Sequence, residues 1–215
     1  MSTFDELIAR VDALVQDTDV SDLIPSLINQ GVYEIAGGMK SLLLDIIIPP
    51  LPDLFTIDSV TTDTSLAYVD MPSTYHRNLQ FVVAASGSEI DIANSFIEFS
   101  ETYPALNKIG NISEVIEQGG KLYYQGIPST EEEINLHFYR KPVIMVANDD
   151  EPDGIPVHLQ MSLLSNFALW KAYEFIEDGL EGEVPNTMKY KSYFIEALRV
   201  LELTIPSDSR GLLLR

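Results

Sequence analysis

The period of the hydrophobic pattern changes twice along this chain, and that double change constrains the fold more than any single motif. From Phe4 to Val15 the apolar residues Phe4, Leu7, Ile8, Val11, Leu14 and Val15 recur at helical spacing, with acids and Arg10 between them. Ser2 or Thr3 supplies a cap, and Asp5 and Glu6 fall in the first turn, where the helix dipole favours negative charge. A second helix is expected from Ser21, with Pro25 tolerated near its first turn and Leu23, Leu27, Val32 and Ile35 on its apolar face. Gly37-Gly38 weakens that helix, which is expected to resume through Leu42–Leu44.

At PPLPDLF the texture becomes β-branched and aromatic. FTIDSVTT, SLAYVDM and NLQFVVAA read as strands divided by Asp-Thr, Pro-Ser and Ser-Gly turns. KLYYQGI and EINLHFYRK are expected to pair antiparallel around Pro128-Ser129-Thr130. In the second, Ile134, Leu136 and Phe138 face one way and Asn135, His137 and Tyr139 the other. NSFIEFSETYP between the strand groups is read as a short helix or a loop. After the acidic stretch VANDDEPDG, helical period returns. Leu159, Leu163, Phe167, Ala168, Ala172, Phe175 and Ile176 form one face, while Met161, Leu164, Leu169, Trp170 and Tyr173 make much of the remainder apolar. A helix apolar on more than one face must be buried on more than one side. Leu164, Phe167, Trp170 and Tyr173 are therefore expected to meet a neighbouring subunit. A last helix, about Thr187 to Leu203, carries Tyr190, Phe194, Ala197, Leu198 and Leu201 before Pro206 stops it.

This order predicts an α+β fold. Residues 1–50 and 154–205 form a helical bundle, residues 51–153 an inserted antiparallel β-rich domain, and residues 206–215 an extended C-terminal tail. The strand–helix alternation of a doubly wound sheet is missing.

Charge and composition exclude several function classes. With 46% apolar residues in 215, the chain can bury a sizeable core. Its 13 basic against 33 acidic residues give a net charge of −20. That field repels phosphate backbones, so nucleic-acid binding through a basic patch is not expected, whereas a surface past which DNA slides is compatible. Without cysteine there is no disulfide, thiolate zinc site or cysteine nucleophile, which fits a reducing cytoplasm. MSTFDELIAR lacks the basic start and apolar core of a signal peptide. The run Leu42–Leu54 is broken by Asp45, Pro49, Pro50 and Pro52, so no membrane span is expected.

The acidic loop is the one candidate metal site. Asp149, Glu151, Asp153 and Gly154 match the first, third, fifth and sixth positions of a calcium loop, but the closing bidentate position falls on Gln160 and Pro156 sits inside. It is not an EF-hand. The favoured reading is a strand-to-helix connection whose carboxylates lie at a helix N-terminus; the alternative is a ligand-binding module with a calcium site there. His76, His137 and His158 are far apart and form no ligand spacing. No G-x-S-x-G, Walker A or G-x-G-x-x-G motif occurs. Tyr123 and Tyr124 point to opposite faces of their strand, one to the core and one to the rim. No catalytic, cofactor-binding or metal residue is assigned, and no enzyme is expected.

Several stretches together resemble a known family. They are TFDELIARVDALVQD, DLIPSLINQGVYEIA, LPDLFTIDSVTTD, YVDMPSTYHRNLQFV, KLYYQGIPSTEEEINLHFYRKP, IPVHLQMSLLSNFALWKAYEFIED and YKSYFIEALRVL. The chain is similar to head-to-tail adaptor (head-completion, connector) proteins of tailed bacteriophages. Notable are the MPSTYHR turn and the YYQGIP…FYRKP hairpin. Smaller members are little more than the helical bundle. The resemblance implies a structural virion protein, assembled in the host cytoplasm and placed at the head–tail interface. It implies a homo-oligomeric ring, usually dodecameric, bound beneath the portal protein. Such a ring extends a channel through which genomic DNA passes without specific binding, and it receives a tail or nozzle protein. The portal-docking tail would comprise Arg210, Leu212, Leu213, Leu214 and Arg215.

Overall fold

Helix α1 (Phe4–Val15) opens on a reciprocal cap. Thr3 Oγ1 accepts from Glu6 N at 3.3 Å while Glu6 Oε2 accepts from Thr3 N at 3.1 Å. A single turn, α2 (Thr18–Ser21), follows, with the Asp17 side chain accepting from Asp19 N. Ser21 closes this turn rather than opening the next helix, because its Oγ donates to Asp12 Oδ1 at 2.7 Å and lies 3.2 Å from Asp17 O. The long helix α3 (Ile24–Ala36) then starts with Pro25 in its first turn, where a missing N–H costs nothing. Where helix was expected to resume, β1 (Met39–Ser41) pairs antiparallel with β2 (Ile46–Ile48). Gly38 makes the switch at φ +78°, and a Cβ there would stand 2.7 Å from Ile48 O. The computed structural model describes residues 2–15, 17–41, 45–177 and 185–205, so the expectation for Leu42–Leu44 lies outside the described residues.

After a 3-10 turn at Pro52–Leu54, residues 55–140 form a compact unit of their own. Its elements are β3 (Phe55–Thr61), β4 (Tyr68–Asp70), β5 (Tyr75–Ala84), β6 (Glu89–Ile92), α4 (Phe96–Thr102), β7 (Glu114–Gln118), β8 (Lys121–Tyr124) and β9 (Glu133–Arg140). NSFIEFSETYP is thus helical, with Ser95 Oγ accepting from Glu98 N. The strands bond in the order β3-β9-β5-β6-β7-β8-β4, and only β6–β7 run parallel, joined through α4. Val60, Val82, Ile90, Val115, Leu122 and Leu136, from six different strands, all enter one core cluster, and Val69 of the seventh packs against it. A two-turn helix is too small to cover a seven-stranded sheet, so the sheet curls around its own core. Bulges in β5, where Asn78 takes φ +56°, supply bend.

The expected pairing of KLYYQGI with EINLHFYRK does not form. β8 lies between β7 and β4, and β9 lies between β3 and β5, so both edges of each are taken. The deciding element is Gly119-Gly120, with φ +62° and +78°, which folds β7 directly onto β8 through a two-residue turn. Within β9 the alternation holds for Ile134, Leu136 and Phe138, which are buried, although Tyr139 is buried as well. Tyr124 is core and Tyr123 half-buried at the rim. The Tyr124 hydroxyl donates to Leu66 O at 2.7 Å and accepts from Asp63 N at 3.0 Å, fixing the β3–β4 loop.

The second compact unit comprises residues 1–54 and 141–215. Its last described elements are α5 (Val157–Ile176) and α6 (Pro185–Thr204). α5 packs against α1, α3 and α6, and α6 also covers β2. The residues on which the sequence placed the α6 face, Tyr190, Phe194, Ala197, Leu198 and Leu201, are all buried. The closest approach is between α3 and α5, where a Cβ on Gly31 would lie 2.8 Å from Phe167 Cδ1. That ring is held edge-on by Trp170 at 5.8 Å and Phe194 at 5.3 Å, so it has nowhere to turn. Gly31→Ala gains up to ~1 kcal/mol of helix propensity but overpacks at ~1–3 kcal/mol. The net expectation is a lower urea midpoint at unchanged m, partly recovered by adding Phe167→Leu.

Candidate functional site

The acidic loop was the obvious place to look for a metal, and its carboxylates turn out to be acceptors for the backbone. Asp150 Oδ2 accepts from Val146 N at 2.6 Å and Ala147 N at 2.8 Å, and these bonds hold its pKa below the ordinary aspartate value. Asp153 Oδ2 accepts from Val143 N at 2.9 Å. The carboxylates therefore organise the extended segment before them, not the N-terminus of α5, whose cap position is Pro156. The loop is also clamped to other parts of the helical unit. Asp150 O accepts from Phe4 N at 2.8 Å, and Asn29 exchanges two bonds with the Met145 backbone at 2.9 and 3.0 Å. Gln160, the residue at the closing calcium position, is buried and accepts from Ser2 N at 3.0 Å while donating to Ile155 O at 3.2 Å. Among the described residues no group of three or more His, Asp or Glu side chains converges as a metal site would require.

The residues expected at a subunit interface divide into two groups. Leu164 and Phe167 are fully buried inside the chain, because α1, α3 and α6 together surround α5. The physical reason for invoking a neighbour, an all-round apolar helix, is thus met within one copy. Trp170 and Tyr173 are only half-buried. Trp170 packs against Phe194 at 5.8 Å, with Lys171 Nζ 4.1 Å and Lys191 Nζ 5.2 Å from its ring centre. Tyr173 stacks on Tyr190 at 5.4 Å and donates to Leu14 O at 3.1 Å. Nearby, Glu177 is buried. Burial pushes its pKa up, but the Thr187 hydroxyl at 2.6 Å, Thr187 N at 3.0 Å and Asn186 N at 3.2 Å outweigh that and hold it below the ordinary 4.5. Glu177 is in effect the N-terminal cap of α6.

One surface escaped the sequence reading. On the outer face of the β unit, Ile57 and Phe81 lie directly opposite His137 on either side of β9. They are 59% and 54% exposed, and Phe55 adjoins them 6.2 Å from the His137 ring. The signal was present in FTIDSV, where Phe55 and Ile57 share one parity and buried Val60 the other, but period two alone does not say which parity is inside. The tail residues Arg210, Leu212, Leu213, Leu214 and Arg215 lie outside the described residues.

The helical unit and the separately cored β unit each leave large apolar side chains exposed, Met188 and Leu203 on the first and Ile57 and Phe81 on the second. The SU10 adaptor protein family matches residues 2–211, nearly the whole chain, and the chain belongs to that family. It is a structural adaptor of bacteriophages and a virion component of the head–tail junction. No curated protein matches it. No helix among the described residues is long and apolar enough to cross a membrane.

Two outcomes follow from these carboxylates. Asp150→Ala should lower Tm by the same amount in calcium and in EDTA, since its side chain serves amides. A calcium-dependent rise in Tm that Asp149→Ala/Asp153→Ala removes would instead restore the metal reading. For Glu177 the depressed pKa means stability that is present above the unfolded value and lost as the pH falls through the folded one. Glu177→Gln should therefore be less stable at pH 7 and show a shallower loss of stability on acidification below about 4.5, read by urea unfolding across pH.

Proposed function

We propose that this chain is a ring-forming head-to-tail adaptor that binds the portal, extends the DNA channel and offers an attachment surface to the next tail component. The family match over residues 2–211 is the observation that carries this reading. In it the helical unit closes a ring, dodecameric in the usual pattern, and the β unit faces the tail or nozzle protein. Exposed Ile57 and Phe81, flanking half-buried His137, support the second role, because an aromatic and β-branched sheet face of this kind is what a protein partner covers. The charge of −20 supports the channel role, since a wall of that sign does not hold passing DNA. The C-terminal segment Ser207–Arg215 provides the portal anchor through Leu212, Leu213 and Leu214, with Arg210 and Arg215 as charge partners.

Native mass spectrometry of the protein mixed with portal rings from the same source tests the reading. The expected result is a defined increment of many subunits per portal, lost when Ser207–Arg215 is deleted while circular dichroism and Tm stay unchanged. Undiminished association of the deleted form removes the anchor, and no association of the full chain at any ionic strength removes the adaptor reading itself.

A further inference from the structure

The helical unit carries opposite charge on two edges, whose helices both pack on α5. α1 packs on α5 and α3, whereas α6 packs on α5 and β2. The α6 edge presents exposed Lys189 and Lys191 together with Met188 and Tyr193, which are 65% and 44% exposed. Lys189 Nζ lies 4.9 Å from the Tyr190 ring centre and Lys191 Nζ 5.2 Å from that of Trp170. Aromatic faces position an ammonium without neutralising it. Lys171, over the same tryptophan, is paired with Glu174 at 2.8 Å; among the described residues neither Lys189 nor Lys191 meets a carboxylate. In a chain with 13 basic residues against 33 acidic, this is a marked local concentration of positive charge. The second edge, at the end of α1 and along α2, presents exposed Asp12, Asp19 and Asp22, with Leu23 at 40% exposure beside them, and it approaches the first at Tyr173, which stacks on Tyr190 and donates to Leu14 O. Ser21 Oγ holds Asp12 in place at 2.7 Å.

We propose that the α6 edge of one copy docks on the α1–α2 edge of the next, with lysines over aspartates and Met188 and Tyr193 against Leu23. The proposal rests on the ring reading above and specifies its contact. Pairing like edges would set lysine on lysine or aspartate on aspartate, which charge opposes. Pairing unlike edges once leaves the pair with one free edge of each kind, one on each copy, so the contact can repeat head to tail until the ring closes. Glu196 on α6 and Arg10 on α1 dilute both edges without reversing either sign. An exposed ion pair contributes at most ~1 kcal/mol. The charges therefore choose the partner surface and set the salt dependence, while the apolar residues supply most of the affinity.

The test uses two full-length variants whose substituted side chains are all exposed. Lys189→Glu/Lys191→Glu makes both edges acidic, and Asp19→Lys/Asp22→Lys makes both basic. Native mass spectrometry at low ionic strength should find each variant monomeric alone, and their equimolar mixture in complexes holding equal numbers of the two. Raising the salt should dissolve those complexes. A mixture that does not associate, or variants that each oligomerise as the wild type does, overturns the proposal. Lys189→Gln/Lys191→Gln, which leaves the acidic edge untouched, should weaken self-association several-fold; an unchanged constant also counts against the contact. Portal binding separates the two readings. If the wild type ignores portal rings while the mixture associates, the adaptor reading falls and this contact stands. If both variants load portal rings with wild-type stoichiometry, the contact falls and the adaptor reading stands.

Discussion

Phe167 has no exposed surface, and most of the helical unit can be understood as the set of elements that hides it. One side meets Gly31 of α3 at a distance only glycine permits, and another meets the Trp170–Phe194 pair. Close backbone approach on one flank and aromatic edges on the other leave no room for solvent or for a second rotamer, which is how a core specifies one arrangement. α1 reaches the same helix further along, fixed at its start by the Thr3–Glu6 cap and near its end by the Tyr173 bond to Leu14. Because segments distant in sequence converge on α5, the unit cannot form from either end of the chain alone.

The β unit solves a different problem. It has seven strands and one short helix, so no second layer exists to cover an apolar face. Curling removes that need, and the chain shows the devices that curling requires: the β5 bulges, the tight Gly119-Gly120 turn and the parallel β6–β7 step that lets α4 cross over. Every strand then contributes to one core. The outer face is left free of structural duty, which is why Phe55, Ile57 and Phe81 there need another explanation than packing within the chain.

What the sequence made legible was local. The period of α1 and α6, the cap at Thr3 and the strand character of β3, β5 and β9 follow from residues close together, whereas NSFIEFSETYP leaves helix and loop both open. What it hid was pairing. KLYYQGI and EINLHFYRK are separated by a plausible turn, yet a two-glycine turn upstream captures β8 first, and no period reports on that competition. The interface expectation for Leu164 and Phe167 met a related limit: apolarity on several faces says a helix is surrounded, not by which chain. The β6 and β7 strands, short and half-polar as EIDI and EVIEQ, carry too little pattern to be recognised at all.

The large negative charge is also less uniform than its total implies. Asp17, Asp63, Asp150, Asp153 and Glu177 accept backbone amides, so their charge works as local architecture in place of caps and turns. Carboxylates of that kind are fixed by the fold they stabilise and say little about partners. With 33 acidic residues against 13 basic, an additional exposed acid carries little information about partners. The sparse cations carry more. Where two lysines are held over aromatic rings beside exposed apolar side chains, the local charge is opposite to the net charge of the chain, and an acidic copy of the same protein is a partner always at hand.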